Sequence, residues 1–192
     1  MVTVEFRHLN LPPAARVLDI GCGSGRHTSA AYELPNALAV GIDRSHTDLI
    51  QARKRLRWHR YMGAYGGGIW ALSAADATAL PFGEACFDLV ICSEVLEHVP
   101  AHEAVVREAV RVLKPGAAMV VSVPRAWPER ICWRLSPAYT QTSGGHIRIY
   151  RHKQLLGMLE GAGLVPFNRH YAHSLHTPYW WLRCLVGPHR ED

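Results

Sequence analysis

Three alternating glycines, Gly21, Gly23 and Gly25, follow the short apolar run Val17-Leu-Asp-Ile20, and an acid, Asp19, stands two residues before the first of them. Such a run reads as a buried strand, and glycines at its end permit positive φ and let a ligand reach the backbone. The helix that should open near Gly25 would aim amide N–H groups at an anion. A dinucleotide fingerprint requires glycine at the sixth position of the loop, where this chain has Arg26, so the G-x-G-x-G spacing disfavours a nicotinamide cofactor. About twenty residues on, the run Leu38-Ala-Val-Gly-Ile-Asp43 ends in an acid. At the carboxyl end of a neighbouring parallel strand, Asp43 can accept hydrogen bonds from both hydroxyls of a ribose.

Three further segments follow in order: Asp76-Ala-Thr-Ala-Leu-Pro-Phe82, Phe87-Asp-Leu-Val-Ile-Cys-Ser-Glu-Val-Leu-Glu-His98 and Arg111-Val-Leu-Lys-Pro-Gly116. Together, over residues 16–124, they resemble the class I S-adenosylmethionine-dependent methyltransferases, and within them the type 11 group that includes quinone-biosynthesis enzymes. The resemblance implies a Rossmann-like doubly wound α/β sheet, S-adenosylmethionine as methyl donor and S-adenosylhomocysteine as product. It also implies roles by motif. The loop of Gly21, Gly23 and Gly25 lines the methionine portion, Asp19 orients that loop and approaches the α-amino group, and Asp43 binds the ribose. Asp76 contacts the adenine amino group, Arg44 and Ala77 flank the adenine ring, and Ser93 makes a backbone contact. The group methylates many kinds of acceptor, so the resemblance does not fix the substrate.

Methyl transfer from a sulfonium is an in-line displacement, and most of its acceleration can come from positioning. Well-oriented reactions reach effective molarities of roughly 10⁵–10⁸ M, whereas a general base contributes roughly 10²–10⁴-fold. Two histidines are candidates for that base. His98 lies four residues after Glu94 on a turn or helix, so the acid is expected to orient the imidazole. His146 opens a His-x-Arg-x-Tyr segment with Arg148 and Tyr150, which resembles the family's entry from substrate loop to last helix; His146 is the preferred base, and Tyr150 a further pocket residue. No metal site is expected: His98 and His102 have helical spacing, and His170, His173 and His176 recur every third residue, but neither set brings a third ligand.

The elements that must position these residues follow from alternating apolar runs and helical patterns. Strands are expected near 16–20, 38–43, 68–75, 87–93, 117–123 and 164–172, with helices between them. Lys114-Pro-Gly116 and Gly161-Ala-Gly163 should each stop a helix. Residues 124–147, rich in Trp, Pro, Arg and Gly, read as a substrate lid within a single domain over 1–192 whose core is 14–173.

With 192 residues, 48% of them hydrophobic and 19% charged, the chain reads as one ordinary globular domain. No apolar run approaches the roughly eighteen residues of a membrane span and no signal pattern opens the chain, so a cytoplasmic location is expected. Five cysteines without a C-x-x-C pair read as free thiols. The charge of +5 concentrates in Arg53-Lys-Arg-Leu-Arg57, which reads as a solvated helix face; nucleic acid is not the expected partner. The family's sheet has seven strands, and the Trp-rich tail 174–192 is too short to supply a clear seventh. A truncated form of a longer protein, self-associating through an open strand edge, is therefore expected. The function read from all this is methyl transfer to an O, N or C atom of a small, apolar or aromatic acceptor. An RNA-modifying methyltransferase and a non-catalytic cofactor-binding module are the alternatives.

Overall fold

In a computed structural model that describes residues 2–135 and 145–172, five parallel strands form one sheet in the order β3-β2-β1-β4-β5. They are β1 (Arg16–Ile20), β2 (Leu38–Asp43), β3 (Ile69–Ala74), β4 (Phe87–Ser93) and β5 (Leu113–Ser122). The chain leaves β1 toward β2 on one side and reaches β4 on the other, so β1 and β4 flank the point where strand order reverses. Open α/β sheets bind ligands there, outside the carboxyl ends of the strands. The central strands are mostly apolar because helices cover parallel sheets on both faces: Val17, Leu18, Ile20, Leu89 and Ile91 are fully enclosed.

The chain divides into two compact units, one of Met1–Leu96 with Ala101–Ser122, the other of Glu97–Pro100 with the described part of Val123–Asp192. The first holds the sheet with α1 (Arg26–Tyr32), α2 (His46–Tyr61) and α3 (His102–Val112). Ser45 caps α2 by accepting the Asp48 amide hydrogen at 3.2 Å. Val105, Val106, Ala109 and Val112 form the buried stripe of α3. On α2 only Ala52 and Leu56 are buried, while Arg53, Lys54, Arg55 and Arg57 are exposed as expected. The helix α3 ends before Lys114-Pro-Gly116, which bulges where β5 shifts register against Phe87 and Leu89. Although burial opposes it, Asp88 is held below the usual carboxylate range by Lys114 Nζ at 2.7 Å and the Arg16 amide at 2.9 Å.

The second unit contains α4 (Ala126–Leu135) and α5 (His152–Gly161), the latter followed by Gly163 at φ +89°. One expectation needs correction. Residues 164–172 form no strand, because Pro166 has no amide to donate to a ladder; Val165, Phe167 and Tyr171 are exposed. Within the segment read as a lid, 126–135 is the helix α4, with Pro128 in its first turn, and 136–144 lie outside the described residues. The tail expectations on 174–192, including Trp180 and Trp181, lie outside the described residues, as do His173, His176 and Cys184. Cys22, Cys86, Cys92 and Cys132 are free thiols. Among the described residues no helix is long and apolar enough to cross a membrane.

Candidate functional site

At the end of β1 the chain turns through three left-handed glycines, Gly21 (φ +64°), Gly23 (φ +50°) and Gly25 (φ +78°). Their surroundings assign them different tasks. A Cβ on Gly21 would lie 2.4 Å from Val95 Cγ2, and one on Gly25 would lie 2.9 Å from Ala52 Cβ, so these two allow the loop to pack on the chain after β4 and on α2. A Cβ on Gly23 would meet nothing within 4 Å. That glycine borders open space. Its amide donates to Asp43 Oδ2 at 2.8 Å, while Asp43 Oδ1 accepts from the Ser45 amide at 2.8 Å. The half-buried acid at the end of β2 therefore clasps the loop at the end of β1.

Asp19 is 1% exposed, and the Thr28 hydroxyl of α1 donates to its Oδ2 at 2.6 Å. Burial pushes Asp19 up to about 7, against the opposing pull of Thr28. Its carboxylate thus ties the glycine loop to the first turns of α1. Burial, with Asp19 and Asp43 nearby, likewise pushes the Cys22 thiol up, which makes it an inert core group. Arg55 fixes the loop from the other side by donating to the Ser24 carbonyl at 2.9 Å.

Past β3, Asp76 is exposed and its Oδ1 accepts from both the amide (2.8 Å) and the hydroxyl (2.7 Å) of Thr78. Those bonds, the Thr78 amide first, hold Asp76 below its ordinary value, with a smaller pull from Arg44. Ala77 lies within the same turn, partly covered, and Arg44 is exposed just past the end of β2.

At the end of β4 a chain of hydroxyls runs through Ser93. Ser122 donates to Glu94 Oε1 at 3.0 Å, so Ser93 donates to Ser122 at 2.7 Å, and the Thr3 hydroxyl lies 3.2 Å from Ser93 Oγ and 2.9 Å from His27 Nε2. The Thr3 amide donates to His27 Nε2 at 3.1 Å. Glu94 itself adopts φ +57°, a left-handed conformation that non-glycine residues hold only when their surroundings enforce it. Thr3 and His27 carry no motif and could be found only from the fold.

In the second unit, four chemically active side chains converge. His146 Nδ1 lies 2.5 Å from Glu129 Oε1, which also accepts from the Trp133 indole at 3.0 Å. The ring of His98 stands 4.8 Å from that of His146, edge to face at 62°. His98 Nδ1 donates to the Gly145 carbonyl at 3.3 Å. Glu97, His98 and His146 each offer one ligand atom, and these atoms lie within 4.8 Å of one another. Glu97 is fully buried, and Tyr150 is 8% exposed. The two segments are tied together: the Ile147 amide donates to the Glu97 carbonyl at 2.9 Å, and the Arg148 guanidinium donates to the carbonyls of Val99 and Pro100.

The acids of this group escaped sequence reasoning. Glu94, the expected partner of His98, accepts from Ser122, and Glu129 lies against His146. Glu129 is one acid in a stretch of Trp, Pro and Arg, and its only signal is that charge amid aromatics. His102 opens α3 rather than joining His98 in a helical pair, because 95–100 is turn and not helix.

Residues 18–121 match the family model described as "Methyltransferase domain". The chain is 34% identical over 117 residues to the malonyl-[acyl-carrier protein] O-methyltransferase of Legionella pneumophila, covering 60% of this chain and 38% of that protein. It is 33% identical over 176 residues to the 27-O-demethylrifamycin SV methyltransferase of Amycolatopsis mediterranei, covering 90% of this chain and 62% of that one. It thus spans less than two thirds of the length of these relatives. Among solved structures, a SAM-dependent methyltransferase of Methanosarcina mazei superposes with a TM-score of 0.64 at 22% identity, covering 84% of this chain and 85% of that one; it shares the fold.

Proposed function

The chain belongs to the methyltransferase-domain family of class I S-adenosylmethionine-dependent enzymes, and from that premise we propose that it carries a methyl group to an oxygen of a small, apolar or aromatic acceptor. The observation that carries this proposal is the clasp between Asp43 Oδ2 and the Gly23 amide. It holds a carboxylate from β2 against a glycine loop from β1, on either side of which a nucleoside and an amino-acid moiety have chemically suited partners. The oxygen acceptor rests on the two relatives, both named for O-methylation.

The cofactor fits these residues, since a Cβ on Gly23 would fill space that the glycine leaves open. When bound, S-adenosylmethionine supplies a methyl group on a positively charged sulfur, ready for displacement by an electron pair. Each oxygen of Asp43 has accepted one amide hydrogen and keeps a lone pair for a ribose hydroxyl. Asp76 keeps Oδ2 for the adenine amino group while Thr78 holds Oδ1, with Arg44 and Ala77 beside the ring. Gly21, Gly25 and Asp19 keep the loop in shape for the methionine portion, and Ser93 gives a backbone contact.

On the acceptor side, His146, His98 and Tyr150 are the working residues. A carbonyl and a carboxylate accept from the Nδ1 atoms, so the lone pair of each ring is on Nε2. Those nitrogens make the acceptor oxygen nucleophilic. Both units serve one catalytic domain acting in the cytoplasm. The purified protein, given methyl-labelled cofactor and a panel of hydroxylated aromatic and carboxylic acceptors, should transfer label to an acceptor oxygen. Cofactor binding with no transfer across the panel would reduce the chain to a binding module, and label on total RNA instead would move the reading to nucleic acid.

A further inference from the structure

We propose that Glu97, His98 and His146 bind a single divalent transition-metal ion, with Glu129 orienting His146 from behind. The set is two imidazole nitrogens and one carboxylate oxygen, the donor combination that holds first-row transition ions in three protein positions with others left open. Its ligand atoms lie within 4.8 Å of one another. In a tetrahedral site with bonds of about 2.0–2.2 Å, neighbouring ligands are roughly 3.4 Å apart, so an ion would draw each pair together by no more than about 1.4 Å. That is a small torsional adjustment.

The tautomers agree with this. A carbonyl oxygen only accepts, so the 3.3 Å contact to Gly145 fixes the hydrogen of His98 on Nδ1. The 2.5 Å contact to Glu129 does the same for His146. Metal-bound histidines are held in this way, one nitrogen on the ion and the other donating to a carbonyl or carboxylate. Both rings here have that outer partner, and Glu129 is steadied by the Trp133 indole. The side chains of His146 and Glu129 are only 16% and 8% exposed, and Glu97 is fully enclosed. The ligands are also held in register before any ion arrives, by the Ile147 amide on the Glu97 carbonyl and by Arg148 on Val99 and Pro100. Two imidazole nitrogens disfavour magnesium and calcium and suit zinc, iron, cobalt, nickel or copper(II).

What the ion does rests on the acceptor-side reading above. An open coordination position takes an oxygen donor, a hydroxyl or carboxylate of the acceptor, and the ion lowers that oxygen's affinity for its proton. With the ion bound the two imidazoles are ligands, the ion takes over the activating role given to them above, and the acceptor's proton leaves to water. The binding itself does not depend on that reading, and the experiment separates the two. Chelator-treated full-length protein is titrated with cobalt(II), read by its visible absorption, and with zinc(II), read by calorimetry. One equivalent per chain is expected, with magnesium ineffective. Glu97→Gln and His146→Gln should each weaken zinc at least tenfold, and Glu129→Gln roughly 10–100-fold as an outer partner. Binding of S-adenosylhomocysteine by each variant serves as the check on folding. Absence of stoichiometric cobalt or zinc binding by the wild type would overturn the proposal, as would binding that survives in a Glu97→Gln/His146→Gln double variant. If those variants fail to fold, His98→Asn and the wild-type titration decide. Metal bound without any methyl transfer would leave the site standing and sink the acceptor reading alone.

Discussion

Asp43 Oδ2 accepts the amide hydrogen of Gly23 at 2.8 Å, across twenty residues of sequence and between the ends of two adjacent strands. This one bond couples the shape of the glycine loop to the acid beside it, so a ligand that pulls on either is felt by both. Asp43→Ala removes the ribose acceptor and frees the loop together. It is expected to weaken S-adenosylmethionine by roughly 1.5–3 kcal/mol, the worth of hydrogen bonds to a charged group. Calorimetry with the fold checked by circular dichroism measures it, and an unchanged affinity would remove Asp43 from the cofactor site.

Gly21 and Gly23 should respond differently to the same substitution. Both have positive φ, so alanine costs roughly 1–2 kcal/mol of backbone strain at either position. Gly21→Ala adds a clash with Val95 at 2.4 Å, whereas Gly23→Ala points its methyl into open space. Gly21→Ala is therefore expected to have the lower melting temperature, partly recovered by Val95→Ala, and Gly23→Ala the larger relative loss of cofactor affinity. Equal melting temperatures for the two variants would refute the assignment of Gly21 to packing.

The difference between these glycines bears on what a sequence can reveal. The left-handed turns at Gly21, Gly23 and Gly25 and the place of Asp43 at a strand end were legible because they follow from glycine's backbone freedom and from an acid closing an apolar run. The five strands of the sheet were legible for the same reason, each being a short apolar segment bounded by turns. Residues 164–172 have apolar character too, but a strand exists only with a partner, and Pro166 interrupts the donors a partner would need. Glu129 and His146 are seventeen residues apart in sequence with no periodicity linking them. Their contact depends on how α4 is oriented, which is decided by packing. Thr28 shows the same limit: its bond to Asp19 needs the turn from β1 into α1 to close first.

Turnover should separate from cofactor binding at the second unit. His146→Ala is expected to lower kcat by roughly 10²–10⁴-fold while leaving S-adenosylmethionine affinity near the wild-type value. Glu129→Gln should reproduce part of that loss, since the amide still accepts from Nδ1 but no longer balances a positive charge on the ring or its ion. Steady-state kinetics beside calorimetry decide the matter. Wild-type turnover in His146→Ala and in His98→Ala would leave positioning alone as the source of rate.

Stability should fall with rising pH because of Asp19. Burial lifts its folded value to about 7 from an ordinary 3.8, so between those limits the folded state binds more protons than the unfolded one. Unfolding free energy then decreases as pH rises through that window, and the loss is complete above it. Each tenfold change in proton affinity is about 1.4 kcal/mol, which makes a few kcal/mol the expected scale. The informative quantity is the difference between wild type and Asp19→Asn, whose amide keeps an acceptor for Thr28 but has no proton to lose. Wild type should gain on the variant as pH is lowered from 8 toward 5 in denaturant titrations at fixed ionic strength. Thr28→Val, which removes the bond that favours the ionised form, should steepen the decline. A stability difference between wild type and Asp19→Asn that stays flat across this range would mean that Asp19 ionises in the fold as it does in the open chain.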